Sequence, residues 1–188
     1  HNSGTLYLHS SGEPLLANSF ECIIKMAPKK TRIIFNTNGL LLNKRIRNII
    51  LNSQKIFMIS FSLDAATSET YKRIRCDKFD LVTNNIKNLV SERNKKKLVR
   101  PLISINMCIM QENILEVPKF IDLAKDLSAV YVQLFCLNKG HSWKVEKNGF
   151  KFDYNEQQKI NPELHDMLIE EAYERAKNYG IKLAFAGN

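Results

Sequence analysis

Short apolar runs alternate with longer segments of helical period along this chain. The runs Thr5 to His9, Arg32 to Phe35, Lys55 to Ile59, Leu102 to Cys108 and Val130 to Cys136 read as strands, and polar residues follow or punctuate each one. Between them, apolar residues recur at helical spacing. Ser19 to Ala27 places Phe20, Ile23, Ile24 and Ala27 on one face, and Pro28 stops it. Asn43 caps a helix to about Asn52, with Ile46, Ile49 and Ile50 inward. A short capped helix begins at Ser68, and a longer one runs from about Phe79 to Lys96 with Leu81, Val82, Ile86, Leu89 and Val90 as its stripe. Asn113 is expected to cap Leu115 to Leu127, where Pro118 falls in the first turns. Pro162 to Tyr179 is the last helix, ended by Gly180, and Ile181 to Phe185 reads as one more strand. The segment from Asn138 to Ile160, with Gly140, His141, Trp143 and Gly149, reads as a long loop.

Strands that alternate with helices make an α/β fold with a parallel sheet, wound by right-handed crossovers. Five or six units are too few for a closed eight-strand barrel. The expected architecture is a partial TIM-type (β/α)6 barrel with about five parallel strands plus a short last strand. It forms a single domain over residues 1–188, and a doubly wound sheet is the alternative.

Side chains in a strand alternate between faces. Ser60, Ser62 and Asp64 share one face of the third strand; Ser104, Asn106 and Cys108 share one face of the fourth; Tyr131, Gln133 and Phe135 share one face of the fifth. A strand covered on both faces reads as a continuous apolar run. One polar face on several neighbouring strands therefore predicts a hollow that holds water or a polar ligand, because an unsatisfied buried polar group costs ~1–3 kcal/mol. Parallel sheets bind ligands at the carboxyl ends of their strands.

Composition narrows this picture. Lys and Arg outnumber Asp and Glu, 28 to 19, in 188 residues. The excess suggests anionic partners, but the clusters Lys29-Lys30-Arg32, Lys44-Arg45-Arg47 and Arg93 to Lys97 fall at helix ends or on expected outer faces. No aromatic residues interleave with the lysine runs, which argues against nucleic acid. No apolar run reaches the ~20 residues that span a bilayer, and the first residues lack a signal-peptide layout. A cytoplasmic setting is expected. The four cysteines, Cys22, Cys76, Cys108 and Cys136, are far apart and are expected to be reduced and structural. His9, His141 and His165 lie at no metal-ligand spacing.

The loops after the strands carry the candidate chemistry. Gly12-Glu13-Pro14 follows the first strand: Gly12 permits a tight turn, Pro14 fixes the exit, and Glu13 offers a carboxylate suited to an ammonium group. Asn36-Thr37-Asn38-Gly39 follows the second strand, and Ser60 to Ala65 followed by Glu69 to Arg75 comes after the third. Asn85-Ile86, Asn113 and Glu116 complete the series. This order resembles the core of radical S-adenosylmethionine (radical SAM) enzymes, especially the branch with C-terminal SPASM or twitch extensions, over nearly the whole chain. The resemblance implies a six-strand partial barrel that binds S-adenosylmethionine (SAM). It implies that Gly12, Glu13 and Pro14 receive the methionine ammonium, and that Ser62 and Asp64 face the ribose or carboxylate. Arg75 would pair with the carboxylate. Asn106 and the backbone around Leu134 to Cys136 would hold ribose and adenine, with Thr37 and Asn38 close by.

The chain departs from that family in one respect. Radical SAM enzymes carry C-x3-C-x2-C, whose thiolates hold a 4Fe-4S cluster, and no such motif is present here. The chain begins where the second strand of that core is expected and stops where SPASM cysteines would begin. It reads as a fragment of a longer enzyme or a degenerate relative, expected to be inactive alone, with the cluster only in the parent protein. The parent would cleave SAM reductively to modify a peptide or small molecule. The alternative is a noncatalytic interaction module, or one that binds anions or nucleic acid. An unpaired edge near Leu6 to Leu8 would favour self-association.

Overall fold

The structure is a computed structural model that describes residues 4–8, 12–137, 142–147 and 150–186. The readings made at His9, Gly140, His141 and Gly149 lie outside these residues. In chain order the main elements are β1 (Thr5–Leu8), α1 (Phe20–Met26), β2 (Arg32–Thr37), α2 (Lys44–Ser53), β3 (Ile56–Ser62), α3 (Ser68–Ile74) and α4 (Phe79–Lys95). They continue with β4 (Leu102–Ile109), α5 (Val117–Asp126), β5 (Tyr131–Cys136), β6 (Lys144–Lys147), β7 (Phe150–Asp153), α6 (Tyr154–Gln157), α7 (Pro162–Tyr179) and β8 (Lys182–Ala186).

Local chemistry fixes the helix ends. Asn43 Oδ1 accepts from Ile46 N at 3.1 Å, and Asn161 Oδ1 accepts from Leu164 N at 2.9 Å. Gly180 ends α7 at φ 66°. The Lys55 ammonium donates to the carbonyls of Ile24, Lys25 and Ala27 at the carboxyl end of α1, where cations are favoured.

Six strands form one parallel sheet in the order β1-β2-β3-β4-β5-β8. The order never reverses, as it does at the switch point of a doubly wound sheet; the sheet is the partial barrel. In-register neighbours point the same way. Phe35, Ile59 and Ile103 form one row, and Phe61, Ile105, Val132 and Leu183 another, on the face covered by helices. Phe35, Ile59, Phe61, Ile103, Ile105, Val132 and Leu134 are completely buried there, each side chain stabilising the fold by ~1.5–3 kcal/mol. The opposite, concave face is the polar one.

Four expectations need correction. The segment read as a long loop holds an antiparallel hairpin, β6 with β7, and the single turn α6. Asn113 does not cap a helix; a 3-10 turn over Ile114–Glu116 precedes α5, and the Asn113 side chain is used elsewhere. Arg47 is not on a solvated face: it is buried, its Nε and Nη2 donate to Glu92 at 3.0 and 2.8 Å, and its Nη1 donates to Leu42 O at 2.9 Å. Leu81 is 46% exposed, outside the stripe formed by Val82, Ile86, Leu89 and Val90.

Candidate functional site at the carboxyl ends of the strands

The loops after β1, β2, β3 and β4 meet in a rim whose polar groups are engaged with one another. Glu13 leaves the first loop and turns toward β2. Its Oε1 accepts from Thr37 Oγ1 at 2.7 Å and from Leu15 N at 3.1 Å, and its Oε2 accepts from Asn38 N at 2.8 Å. Thr37 Oγ1 also accepts from Gly39 N at 3.1 Å, and Asn38 Oδ1 accepts from Leu40 N at 2.9 Å. Gly39 is at φ 75°, and a Cβ there would stand 2.9 Å from Val82 Cγ1 and 3.1 Å from Phe61 Cδ1. Only glycine lets this loop close over α4, whose Asn85 amide donates to Gly39 O at 3.0 Å. At Gly12 a Cβ would meet nothing within 4 Å. A cavity of about 370 Å³ opens beside that turn, lined by Tyr7, Leu8, Gly12, Glu13 and Pro14 among others.

Asp64 is the second knot of the rim. It lies just past β3 at φ 60°, a conformation that aspartate tolerates better than most residues. Its Oδ2 accepts from Arg75 Nε and Nη2 at 2.9 and 2.6 Å, and its Oδ1 accepts from Cys108 N at 2.7 Å. The fully buried Asn113 completes the knot. Its amide donates to Asp64 O at 2.7 Å and Cys108 O at 2.8 Å, and its oxygen accepts from Met110 N at 2.8 Å. Glu116 ties the β3 loop to the β4 loop, accepting from Ala66 N at 2.7 Å and Thr70 Oγ1 at 2.8 Å. Burial, followed by the Asp64 charge, pushes the Cys108 thiol up from 9.0 to about 12.

The concave wall below the rim differs in kind. Asn36, Ser60, Ser104, Tyr131 and Lys182 lie in register across β2, β3, β4, β5 and β8. Ser62, Asn106 and Gln133 form the next level toward the carboxyl ends. Ser104 is fully buried and Asn106 is 6% exposed, yet Ser104 Oγ and Asn106 Oδ1 have no hydrogen-bond partner among the described residues. Such buried orphans call for water or a ligand group.

The structure therefore sorts the sequence-derived site residues. Ser62 and Asn106 sit side by side on the wall. Glu13, Thr37, Asn38, Asp64 and Arg75 build the rim through contacts with one another and with neighbouring backbone. The Leu134 side chain points into the hydrophobic core beside the helices, so only its backbone borders the rim. Sequence reasoning placed Ser60, Ser104, Tyr131 and Gln133 on shared faces without assigning them to the site; their register across strands is what unites them. Trp143, Phe152 and Tyr154 also come together, with Trp143 stacked on Phe152 at 5.2 Å between ring centroids. The α6 turn below them is tied to the loop after β4, where Gln157 O accepts from Gln111 N at 2.8 Å. A groove of about 570 Å³ between α1 and α2 lies on the outer surface, away from the strand ends, and the cations Lys25 and Arg45 that line it pair with Glu21.

Fold and wall together define an α/β partial barrel whose concave face carries unmatched hydrogen-bonding groups. Solved structures share that architecture. Streptococcus suis SuiB superposes with a TM-score of 0.69 at 14% identity, over 98% of this chain and 38% of SuiB. SuiB bound to S-adenosylmethionine gives 0.68 at 14% identity, over 98% of this chain and 39% of that one. TYW1 with a lysine-pyruvate adduct bound gives 0.57 at 18% identity, over 93% of this chain and 50% of TYW1. The chain spans half or less of the length of these proteins, and the likeness is one of fold. No family model matches the chain, and no curated protein does.

Proposed function

We propose that this chain is the SAM-binding core of a radical SAM enzyme whose complete form modifies a peptide or small molecule. One observation carries the reading: Ser62 ends β3, Asn106 and Gln133 stand in register with it within β4 and β5, and the buried Asn106 Oδ1 is satisfied by nothing in the described chain. The radical SAM resemblance in sequence and the fold shared with SuiB, which has been crystallised with SAM and with the precursor peptide SuiA, support it.

The residues present fit SAM. Ser62 and Asn106 supply hydroxyl and amide groups for the ribose, and the backbone of Leu134 to Cys136 borders the place for adenine. The Gly12 to Pro14 turn offers backbone to the ammonium, since the Glu13 carboxylate already accepts three hydrogen bonds. Arg75 acts through Asp64, as a positioning residue. When SAM is bound to a reduced 4Fe-4S cluster, it supplies a 5′-deoxyadenosyl radical. The cluster does not fit this chain: its four cysteines form no C-x3-C-x2-C motif, and among the described residues no group of three or more His, Cys, Asp or Glu is placed to hold a metal. This chain alone is proposed to lack radical chemistry.

Calorimetric titration of SAM into the chain and into Asn106→Ala/Ser62→Ala tests the reading. A loss of at least ~10-fold in affinity is expected from two removed hydrogen-bonding groups. Equal affinities would remove the site.

A further inference from the structure

The six strands of the sheet contain no Asp or Glu, and their only charged residues are Arg32 and Lys182. Both stand on the concave face. Arg32 alternates with the fully buried Ile33, and Lys182 with Leu183, which packs on the hydrophobic core. Lys182 lies opposite Tyr131 and Tyr131 opposite Ser104, on neighbouring strands that stand ~4.8 Å apart. Among the described residues no hydrogen bond or ion pair engages the Lys182 ammonium, the Tyr131 hydroxyl or the Ser104 hydroxyl. This level is two residues, ~6.7 Å, below the one formed by Ser62, Asn106 and Gln133. At the rim, Asp64 is already paired with Arg75.

We infer that Lys182 and Tyr131 form a carboxylate-binding subsite of the hollow, and that the molecule modified there carries a carboxylate below the level of the cofactor. One ammonium and one phenol match a monoanion that accepts two hydrogen bonds; a phosphate dianion would call for further cationic donors. Lys182 is exposed and Tyr131 half-buried, and Lys182 sits on the outermost strand of the order, at the open margin of the sheet. The same chemistry is offered by an acidic side chain of a peptide and by a free organic acid. The inference rests on the SAM reading only in taking the hollow as a reaction chamber.

The test uses the 188-residue chain with its lysines 13C-dimethylated, the Lys182 signal being the one missing from Lys182→Gln. N-acetylglutamate α-amide, succinate and N-acetylglutamine α-amide are titrated separately, with SAM affinity measured on the same samples. Saturable shifts of the Lys182 signal are expected with the two carboxylates and not with the neutral amide. Tyr131→Phe is expected to weaken carboxylate binding by ~3-fold or more. Response to the glutamate probe alone assigns the carboxylate to a peptide, and response to succinate alone assigns it to a free acid. No saturation, equal response to the neutral amide, or carboxylate affinity unchanged in Tyr131→Phe overturns the subsite. SAM binding without carboxylate binding sinks the subsite alone; carboxylate binding without SAM binding sinks the cofactor reading and leaves the subsite.

Discussion

The rim and the wall of the concave side are both polar, yet they use polarity in opposite ways. At the rim, Glu13, Asp64, Asn113 and Glu116 each accept or donate several hydrogen bonds inside the chain. On the wall, Ser104 and Asn106 are buried and keep side-chain atoms unmatched. A saturated network fixes loop geometry, and an unsaturated surface retains capacity for a guest. Polar residues near a strand end are thus not interchangeable evidence for a site, because saturation decides whether they hold the protein or the ligand.

Substitutions separate the two roles. The largest effect is expected at Asn113→Ala, which strips partners from Met110 N, Cys108 O and Asp64 O at once. Urea denaturation should show a loss of about 3 kcal/mol. Gly39→Ala forces a Cβ to 2.9 Å from Val82 at φ 75° and should cost about 2 kcal/mol by the same measurement. On the wall, Asn106→Ala/Ser62→Ala should leave stability nearly unchanged and lower SAM affinity. Ser104→Ala should move the denaturation midpoint hardly at all, within about 0.5 kcal/mol, since its hydroxyl has no partner to lose. A loss above 1 kcal/mol at Ser104 would make the wall structural and erase the contrast.

A pH-dependent effect is expected at Cys108, between the two regions. Its thiol rises to about 12 in the fold from 9.0, so the unfolded chain releases this proton first as pH increases. The raised value contributes stability that is present below pH 9.0 and is lost as pH climbs toward about 12. The wild-type minus Cys108→Ala difference in denaturation midpoint should therefore shrink between pH 8 and pH 11. At pH 8, thiol reagents should label the exposed Cys22 well before Cys108.

The strand-helix alternation was legible because each element carries its own period and its own stops, as at Pro28, Asn43 and Gly180. The facing of Ser62 and Asn106 was legible from alternation alone, since a strand has only two sides. The β6–β7 hairpin was hidden because its strands, Lys-Val-Glu-Lys and Phe-Lys-Phe-Asp, are four residues each and heavily charged. The engagement of Glu13, Asp64 and Arg75 with the protein was hidden for a different reason. Their partners lie 24 or 25, 44 and 11 positions away, and residue type does not say whether a carboxylate is already taken. The role of Asn113 was misjudged because an asparagine before a helix usually caps it, and here tertiary hydrogen bonds outcompete the local one.

A sheet with two margins has no fixed circumference. Its curvature comes from the twist between neighbouring strands, so a segment that docks along β1 or β8 changes the width of the mouth while Ser62, Asn106 and Gln133 keep their alignment. The width of the mouth and the alignment of these three side chains are thereby free to diverge separately as related sequences evolve.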